Sequence, residues 1–286
     1  MQVYTIEAGN FKLDGGAMFG VVPKSLWQKT NPADANNLID IASRCMLIEN
    51  GDRLILVDTG MGNKQSDKFY GYYHPWGDFS LEKSIHKLGF GLSEVTDVFL
   101  THLHFDHVGG ATFRDKNNNI ETLFPKATYW SNRKHWEWAT EPNEREKASF
   151  LSENLHPLHQ SGQLDFVSLP NKNCSQSPEL PFKINFVDGH TEKQMLPMLK
   201  FQDKTLVFMA DLLPTAGHIP LPYIMGYDTR PLQTLIEKKE FLEAAATNNW
   251  YLFMEHDAHN EVITVKHTEK GVRLNKTYTF NQLFNS

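Results

Sequence analysis

The sequence predicts a layered α/β fold that carries its chemistry at the ends of strands, and three observations predict it. Five short apolar segments, each rich in Val, Ile, Leu and Phe, run directly into polar clusters containing Asp or His. Segments of helical character lie between them. One of the polar clusters packs three imidazoles and a carboxylate into six residues. Buried strands read as short apolar runs bounded by turn-forming residues, and α/β proteins commonly hold reactive side chains on loops at strand ends.

Leu54–Val57 is the first such strand and ends in Asp58-Thr59-Gly60. Ser80 to Leu88 follows as a helix, with Leu81, Ile85 and Leu88 at helical spacing and Ser80 as its N-cap. The second strand, Asp97–Leu100, runs into Thr101 to His107. Lys116-Asn117-Asn118-Asn119 is a loop, Lys134 to Leu155 (polar, with Glu, Lys and Trp) a helix, and Pro170 to Pro181 a further loop. The third strand, Lys183–Val187, ends in Asp188-Gly189-His190. The fourth, Thr205–Met209, ends in Ala210-Asp211. Pro231 to Ala246 reads as a helix with proline in an allowed first-turn position. The fifth strand, Trp250–Met254, ends in Glu255-His256-Asp257. Neither loop reads as a linker and no segment repeats another, so residues 1–286 are expected to form a single domain.

Composition narrows the class. The chain has 286 residues, of which 40% are hydrophobic and 22% charged, enough for a sizeable core and too apolar for a disordered chain. Its 28 basic and 34 acidic side chains leave a net charge of −6. That balance argues against nucleic acid as the main partner, because phosphate binding needs clustered Lys and Arg, though it leaves room for a local basic pocket; a small-molecule substrate is expected. Cys45 and Cys174 lie far apart and are expected to be free thiols in a reducing compartment. Met1 to Asn10 lacks the pattern of a secretory signal, and no run approaches the length of a membrane span. The expected location is therefore the cytoplasm.

The strongest feature is Thr101-His102-Leu103-His104-Phe105-Asp106-His107-Val108-Gly109-Gly110. In an extended segment, residues two apart point to the same side, so His102 and His104 can grip one ion together. A tight turn after Phe105 swings Asp106 and His107 toward a second, and the two glycines permit close backbone approach. Imidazole and carboxylate donors suit zinc, and also iron, manganese or cobalt. Two ions need further ligands. The strand-then-ligand logic selects His190, Asp211 and His256.

These residues, in this order, resemble the metallo-β-lactamase superfamily, whose pattern is H-x-H-x-D-H, a later His, a later Asp and a final His. The resemblance runs from Leu54 to Asp257. It implies a four-layer αββα sandwich with the site along one edge of two packed sheets. It assigns His102, His104 and His190 to one divalent metal, Asp106, His107 and His256 to a second, and Asp211 to both. It makes Asp58 a support that orients metal ligands from behind. Relatives that use Cys at the position of Asp211, or Glu at the position of His104, are excluded by the residues here.

A narrower resemblance lies in Asp14 to Lys24 with Leu26-Trp27, and in Asp211 to Asp228. Both are similar to N-acyl-homoserine-lactone lactonases and, more distantly, methyl parathion hydrolases. It implies hydrolysis of an ester-like bond, in a lactone, by a hydroxide bridging two metals, with Asp106 or Asp211 carrying a proton to the leaving group. Phosphotriester or phosphodiester hydrolysis is the nearest rival. A metal-binding sensor is the rival of another class. Where some lactonases place a carbonyl-polarising Tyr, this chain has Pro214, and His218 and Tyr223 are the candidate replacements. Met18 and Phe19 are expected to wall the substrate pocket. So is the aromatic stretch Phe69, Tyr70, Tyr72, Tyr73, Trp76 and Phe79, which could instead form a homodimer contact.

Overall fold

The computed structural model describes residues 1–169 and 173–284. Among these residues the backbone forms two large mixed sheets and one short hairpin. The first sheet runs Gln2–Asp14, Leu38–Asn50, Arg53–Val57, Asp97–Phe99, Thr128–Ser131, Leu164–Phe166, antiparallel at its first three strands and parallel thereafter. The second runs Gly271–Tyr278, Val262–Thr268, Tyr251–Phe253, Lys204–Phe208, Gln194–Phe201, Lys183–Val187, Cys174–Gln176. Its one parallel pair is Lys204–Phe208 with Tyr251–Phe253.

Side-chain alternation explains the layering. On Leu38–Asn50 and Arg53–Val57, Met46, Ile48, Ile55 and Val57 turn to one face and pack with Leu196, Val207 and Phe253 of the second sheet. Their neighbours Cys45, Leu47, Leu54 and Leu56 turn to the other face and meet Leu81, Ile85, Leu155 and Leu158 from the helices Leu81–Lys87 and Ser152–Gln160. The period-two pattern thus buries both faces of one sheet. Helix Pro231–Asn248 packs Phe241, Leu242 and Ala245 into the second sheet's core. The layers are helix, sheet, sheet, helix: the αββα sandwich.

All five expected strands form, within a residue at their ends. Ser80 caps its helix through Oγ, which accepts from Lys83 N at 3.1 Å. Two expectations need correction. The helix over Lys134 to Leu155 is two helices, Arg133–Thr140 and Ser152–Gln160, with an irregular segment between. Pro142 disfavours helical backbone at Glu141, and Asn143 Oδ1 accepts from the amides of Arg145 and Glu146, turning the chain. The loop over Pro170 to Pro181 contains the strand Cys174–Gln176, and its residues 170–172 lie outside the described residues. Cys45 and Cys174 are unpaired. Among the described residues, no helix is long and apolar enough to cross a membrane.

Candidate metal centre

The functional cluster lies where the two sheets meet at one edge. Strand Leu38–Asn50 is stitched to the segment after Tyr251–Phe253 by Ala42 N to His256 O and Arg44 N to Glu255 O, each 3.1 Å. The Arg44 guanidinium donates to the carbonyls of Met254 and Asp257. These bonds lock His256 against the first sheet, beside the loop that follows Asp97–Phe99. In that loop His102 and Leu103 are irregular, and Phe105–Val108 forms one turn of helix. The expected turn is this helical one, beginning at Phe105, and it presents Asp106 and His107. Gly109 and Gly110 are required for close approach. A Cβ on Gly109 would sit 2.1 Å from the Met61 carbonyl oxygen, and one on Gly110 2.2 Å from that of Thr59. On the other sheet, Ala210 takes φ 40°, a left-handed conformation unusual for alanine, immediately before Asp211.

All seven side chains predicted as ligands converge. His102, His104, His190 and Asp211 form one group, and Asp106, His107 and His256 an adjoining one, each with its donor atoms within 4.8 Å of one another. Asp211 reaches both. Its Oδ2 lies 3.4 Å from His102 Nε2, 3.1 Å from His190 Nε2 and 3.2 Å from His107 Nε2, and its Oδ1 lies 3.2 Å from His256 Nε2. Asp106 is looser, with oxygens 4.0 Å from His107 Nε2 and 3.8 Å from His256 Nε2.

The outer nitrogens of the histidines show what the inner ones face. Asp228 lies 2.9 Å from His190 Nδ1, Glu146 3.2 Å from His104 Nε2, and Asp58 3.0 Å from His107 Nδ1. The Ala42 carbonyl is 2.8 Å from His256 Nδ1. The Thr101 hydroxyl donates to Asp58 Oδ2 at 2.6 Å, so it accepts from His102 Nδ1 at 3.1 Å. Each acceptor takes one ring proton. The opposite nitrogens, in neutral rings, are lone pairs aimed at one another: His104 Nδ1 is 3.1 Å from both His102 Nε2 and His190 Nε2. Buried lone pairs that close repel unless a cation lies among them. This donor set, nitrogens and carboxylate oxygens with each imidazole braced from behind, fits divalent metals of the zinc type.

The electrostatics agree. Burial alone lowers an imidazole's pKa, yet the Asp211 charge and hydrogen bond, with Asp228, hold His190 up at about 10. At His256, burial is likewise outweighed by Asp211 and Glu255, which hold it at about 9. His107 is also raised, by Glu255, Asp106 and Asp211 against burial. His102 is pushed down by burial and by His107, and His104 by burial and by His190. Asp211 stays well below the usual carboxylate range, its burial overcome by the imidazoles around it. The site draws positive charge.

Several supporting residues escaped the sequence reading. Glu146 is buried and also accepts from Trp138 Nε1 at 2.7 Å and Asn143 Nδ2 at 2.8 Å. His135 Nε2 accepts from Leu103 N at 2.9 Å, fixing the backbone between His102 and His104. Its pKa falls to about 3, chiefly through burial, so it stays neutral. Asp228 and Glu255 complete the group. Glu146 and His135 sit in no local motif; Glu255 stands at the polar end of the fifth strand and Asp228 closes the stretch Asp211 to Asp228, but nothing local marks either as a support. Asp58 was visible as the polar end of a strand: it takes φ 57°, and its Oδ1 accepts from Thr101 N at 2.8 Å.

The cluster floors a cavity of about 310 Å³. Met18 lines it. Phe19, His218 and Tyr223 do not, which corrects their assignment. Phe19 is sealed behind the wall, stacked 4.1 Å from His218 and 5.2 Å from Trp27. His218 is committed through Nε2 to the Met18 carbonyl at 2.8 Å and through Nδ1 to Thr215 Oγ1 at 2.8 Å. Tyr223 borders a different depression. The hydroxyl-bearing residues of the lining are Tyr73, Ser149 and Tyr227. Of the aromatic stretch, Tyr73 alone reaches this cavity, and Phe69 packs behind it on Phe105. Tyr70, Trp76 and Phe79 border a second depression, and Tyr72 is exposed.

Comparison with known proteins places this geometry. Residues 39–256 match the family model described as the metallo-beta-lactamase superfamily. A probable metallo-hydrolase of Mycobacterium bovis is 32% identical over 108 residues, covering 33% of this chain and 35% of that protein. The chain thus spans about a third of the length of the curated relatives it matches. A crystal structure of a probable metal-dependent hydrolase from Staphylococcus aureus superposes with TM-score 0.84 at 24% identity, over 97% of this chain and 98% of that one. AidC, a dizinc quorum-quenching lactonase in complex with the product N-hexanoyl-L-homoserine, superposes with TM-score 0.78 at 22% identity, over 98% and 95%. At these identities the superpositions speak for the fold alone.

Proposed function

The chain belongs to the metallo-β-lactamase superfamily, and from that premise we propose that it is a two-metal hydrolase of ester-like bonds that opens lactones. One observation carries the reading. Seven buried donors converge in two adjoining groups that share Asp211, at the floor of a cavity with a largely apolar wall. Solved structures of the same fold include lactonases with a product homoserine bound, which is what suggests a lactone as the ester-like substrate.

His102, His104 and His190 would hold one cation, Asp106, His107 and His256 the other, with Asp211 between. Two such cations supply Lewis acidity and a water acidic enough to ionise near neutral pH. The chain's own residues do the rest. Leu13, Met18, Phe105 and Met225 offer an apolar surface to the substrate's carbon skeleton and keep bulk water from it. Tyr73 and Tyr227 present hydroxyls on the same wall. Burial, then the nearby Asp106 carboxylate, raises Tyr73 to about 12, so it remains a hydrogen-bond donor to a carbonyl oxygen. Asp106 is held less closely than Asp211 and lines the cavity, which makes it the better placed carboxylate to hand a proton to the departing alkoxide. Water adds to the carbonyl carbon, the ring C–O bond breaks, and the product is a hydroxy acid.

The test is turnover by metal-reconstituted protein across lactones, aryl esters and phosphotriesters. Lactones should be cleaved with the highest kcat/KM, rising with an apolar tail by a few-fold per methylene, from about 0.8 kcal/mol each, until the cavity is full. Efficient triester cleavage beside negligible lactone rates would overturn the substrate class and leave the metal site intact.

A further inference from the structure

Arg44, Arg53, Arg114 and Arg230 are paired with Glu7, Asp97, Glu153 and Glu192. Three of the seven arginines, Arg133, Arg145 and Arg273, have no carboxylate partner among the described residues, and of these Arg145 alone lines the cavity above the metal-ligand cluster. Arg145 projects from the irregular segment between Arg133–Thr140 and Ser152–Gln160. Its Nη2 reaches across to two backbone carbonyls of the facing wall, those of Gly226 and Asp228, the latter at 3.2 Å. The guanidinium is thereby held in place by one nitrogen. Nε and Nη1 donate to no described protein group.

A guanidinium is charged at every accessible pH and offers its donors in a fixed plane. The cavity it lines also carries the apolar side chains of Leu13, Met18 and Met225, and, toward its floor, the carboxylates of Asp106 and Glu146. Arg145 is exposed at the cavity rim, so a neutral substrate there would displace part of the water around the cation and return nothing. A carboxylate would restore the lost solvation with charge-assisted hydrogen bonds to Nε and Nη1. We propose that Arg145 is a specificity residue that receives a carboxylate on the part of the substrate remote from the scissile bond. This rests on the hydrolase reading above and adds to it a substrate class: an ester or lactone whose acyl arm ends in an anionic group.

The experiment has a binding arm and a turnover arm on the same metal-loaded protein. Calorimetry compares straight-chain monocarboxylates with dicarboxylates of equal length, from four to eight carbons. One carboxylate engages the metal cluster in both series, and only the dicarboxylate has a second for Arg145. The wild type should bind the best-fitting dicarboxylate about tenfold or more tightly than its monocarboxylate partner, the scale of a charged hydrogen bond. Arg145→Ala should erase that difference while leaving the monocarboxylate unchanged, and Arg145→Lys should keep part of it. In turnover, a carboxylate-tailed lactone should show a lower KM than its alkyl-tailed counterpart, lost in Arg145→Ala with kcat preserved. Equal binding of the two series by the wild type, or a difference that survives in Arg145→Ala, overturns the proposal even where lactones are cleaved. A dicarboxylate preference that depends on Arg145, in a protein that cleaves no lactone, upholds Arg145 and overturns the lactone reading instead.

Discussion

The Nε2 atoms of His107 and His256 face each other at 3.0 Å, with Asp211 Oδ2 3.2 Å from the first and Oδ1 3.2 Å from the second. The two rings come from opposite sheets. Behind them, Asp58 holds His107 Nδ1 and the Ala42 carbonyl holds His256 Nδ1, so neither ring can turn away without breaking a buried hydrogen bond. Two imidazole nitrogens fixed this way demand a cation, and protons and metals compete for the place.

That competition has a sign. In the metal-free protein His190 and His256 titrate at about 10 and about 9, because Asp211 outweighs their burial, so both carry protons at neutral pH. Metal uptake must expel them. Calorimetry of metal binding in buffers of different ionisation enthalpy should report more than one proton released per chain at pH 7, and affinity should rise as pH rises. Folded-state values above the ordinary 6.5 also stabilise the metal-free fold fully below that pH, and the contribution is lost as pH rises through 9 to 10. Metal-free protein should therefore lose Tm across that interval while the loaded protein does not. Zero proton release at pH 7 would contradict the electrostatic account.

Asp211 and Asp257 are both buried carboxylates at the end of a second-sheet strand, and they should fail differently. Asp211→Ala removes the donor common to both groups and should abolish binding of both metal equivalents. Asp257 accepts from the amides of Ala216, His259 and Asn260 at 2.8–2.9 Å and ties a turn together. Asp257→Ala should lower Tm and leave the metal count unchanged. Metal analysis beside thermal melts separates the two, and equal metal loss in both variants would remove the distinction.

Glu146 should act through His104. Its carboxylate fixes the His104 Nε2 proton and so leaves Nδ1 free to face His102 and His190. Glu146→Ala should weaken one of the two metal equivalents about 10–100-fold and leave the other near its original affinity. Glu146→Gln, which keeps an acceptor oxygen, should recover part of it. A cobalt-substituted sample should show an altered absorption spectrum for that one equivalent. A uniform loss of both equivalents would mean that Glu146 supports the fold rather than His104.

Much of this site was legible in the sequence because its ligands follow strands. A buried strand is a short apolar run, and a charged residue closing it must either meet solvent or find a partner. The same rule exposed His102, His190, Asp211 and His256. It failed where burial is shared. Leu38–Asn50 escaped notice because Asp40, Ser43 and Arg44 interrupt its apolar pattern, and Arg44 is buried because it finds the Glu7 carboxylate and the carbonyls of Met254 and Asp257. Glu146 escaped because its segment reads as a polar helix, and only the fold brings it to His104, forty-two residues away in sequence. The substrate wall was the least legible part. Phe19 and Tyr227 are both aromatic residues in stretches that resemble lactonases, and nothing local says that the first is sealed in a stack while the second lines the cavity.

Phe19 therefore belongs to stability. It is fully buried between Trp27 and His218. Phe19→Ala should cost about 3–5 kcal/mol, read by chemical denaturation. Among molecules that remain folded, it should change KM for short- and long-tailed lactones by the same factor. A selective loss of long-tailed substrates without a loss of stability would return Phe19 to the substrate wall.

The central claim is that two cations in one site drive hydrolysis. Its most direct test is a titration of metal-free protein with zinc, following bound metal and turnover of a cleaved substrate in the same samples. Binding should saturate at about two equivalents per chain, the number of donor groups the seven ligands form, with full turnover reached only at the second. Saturation at one equivalent, or turnover unchanged by added metal, would contradict that claim.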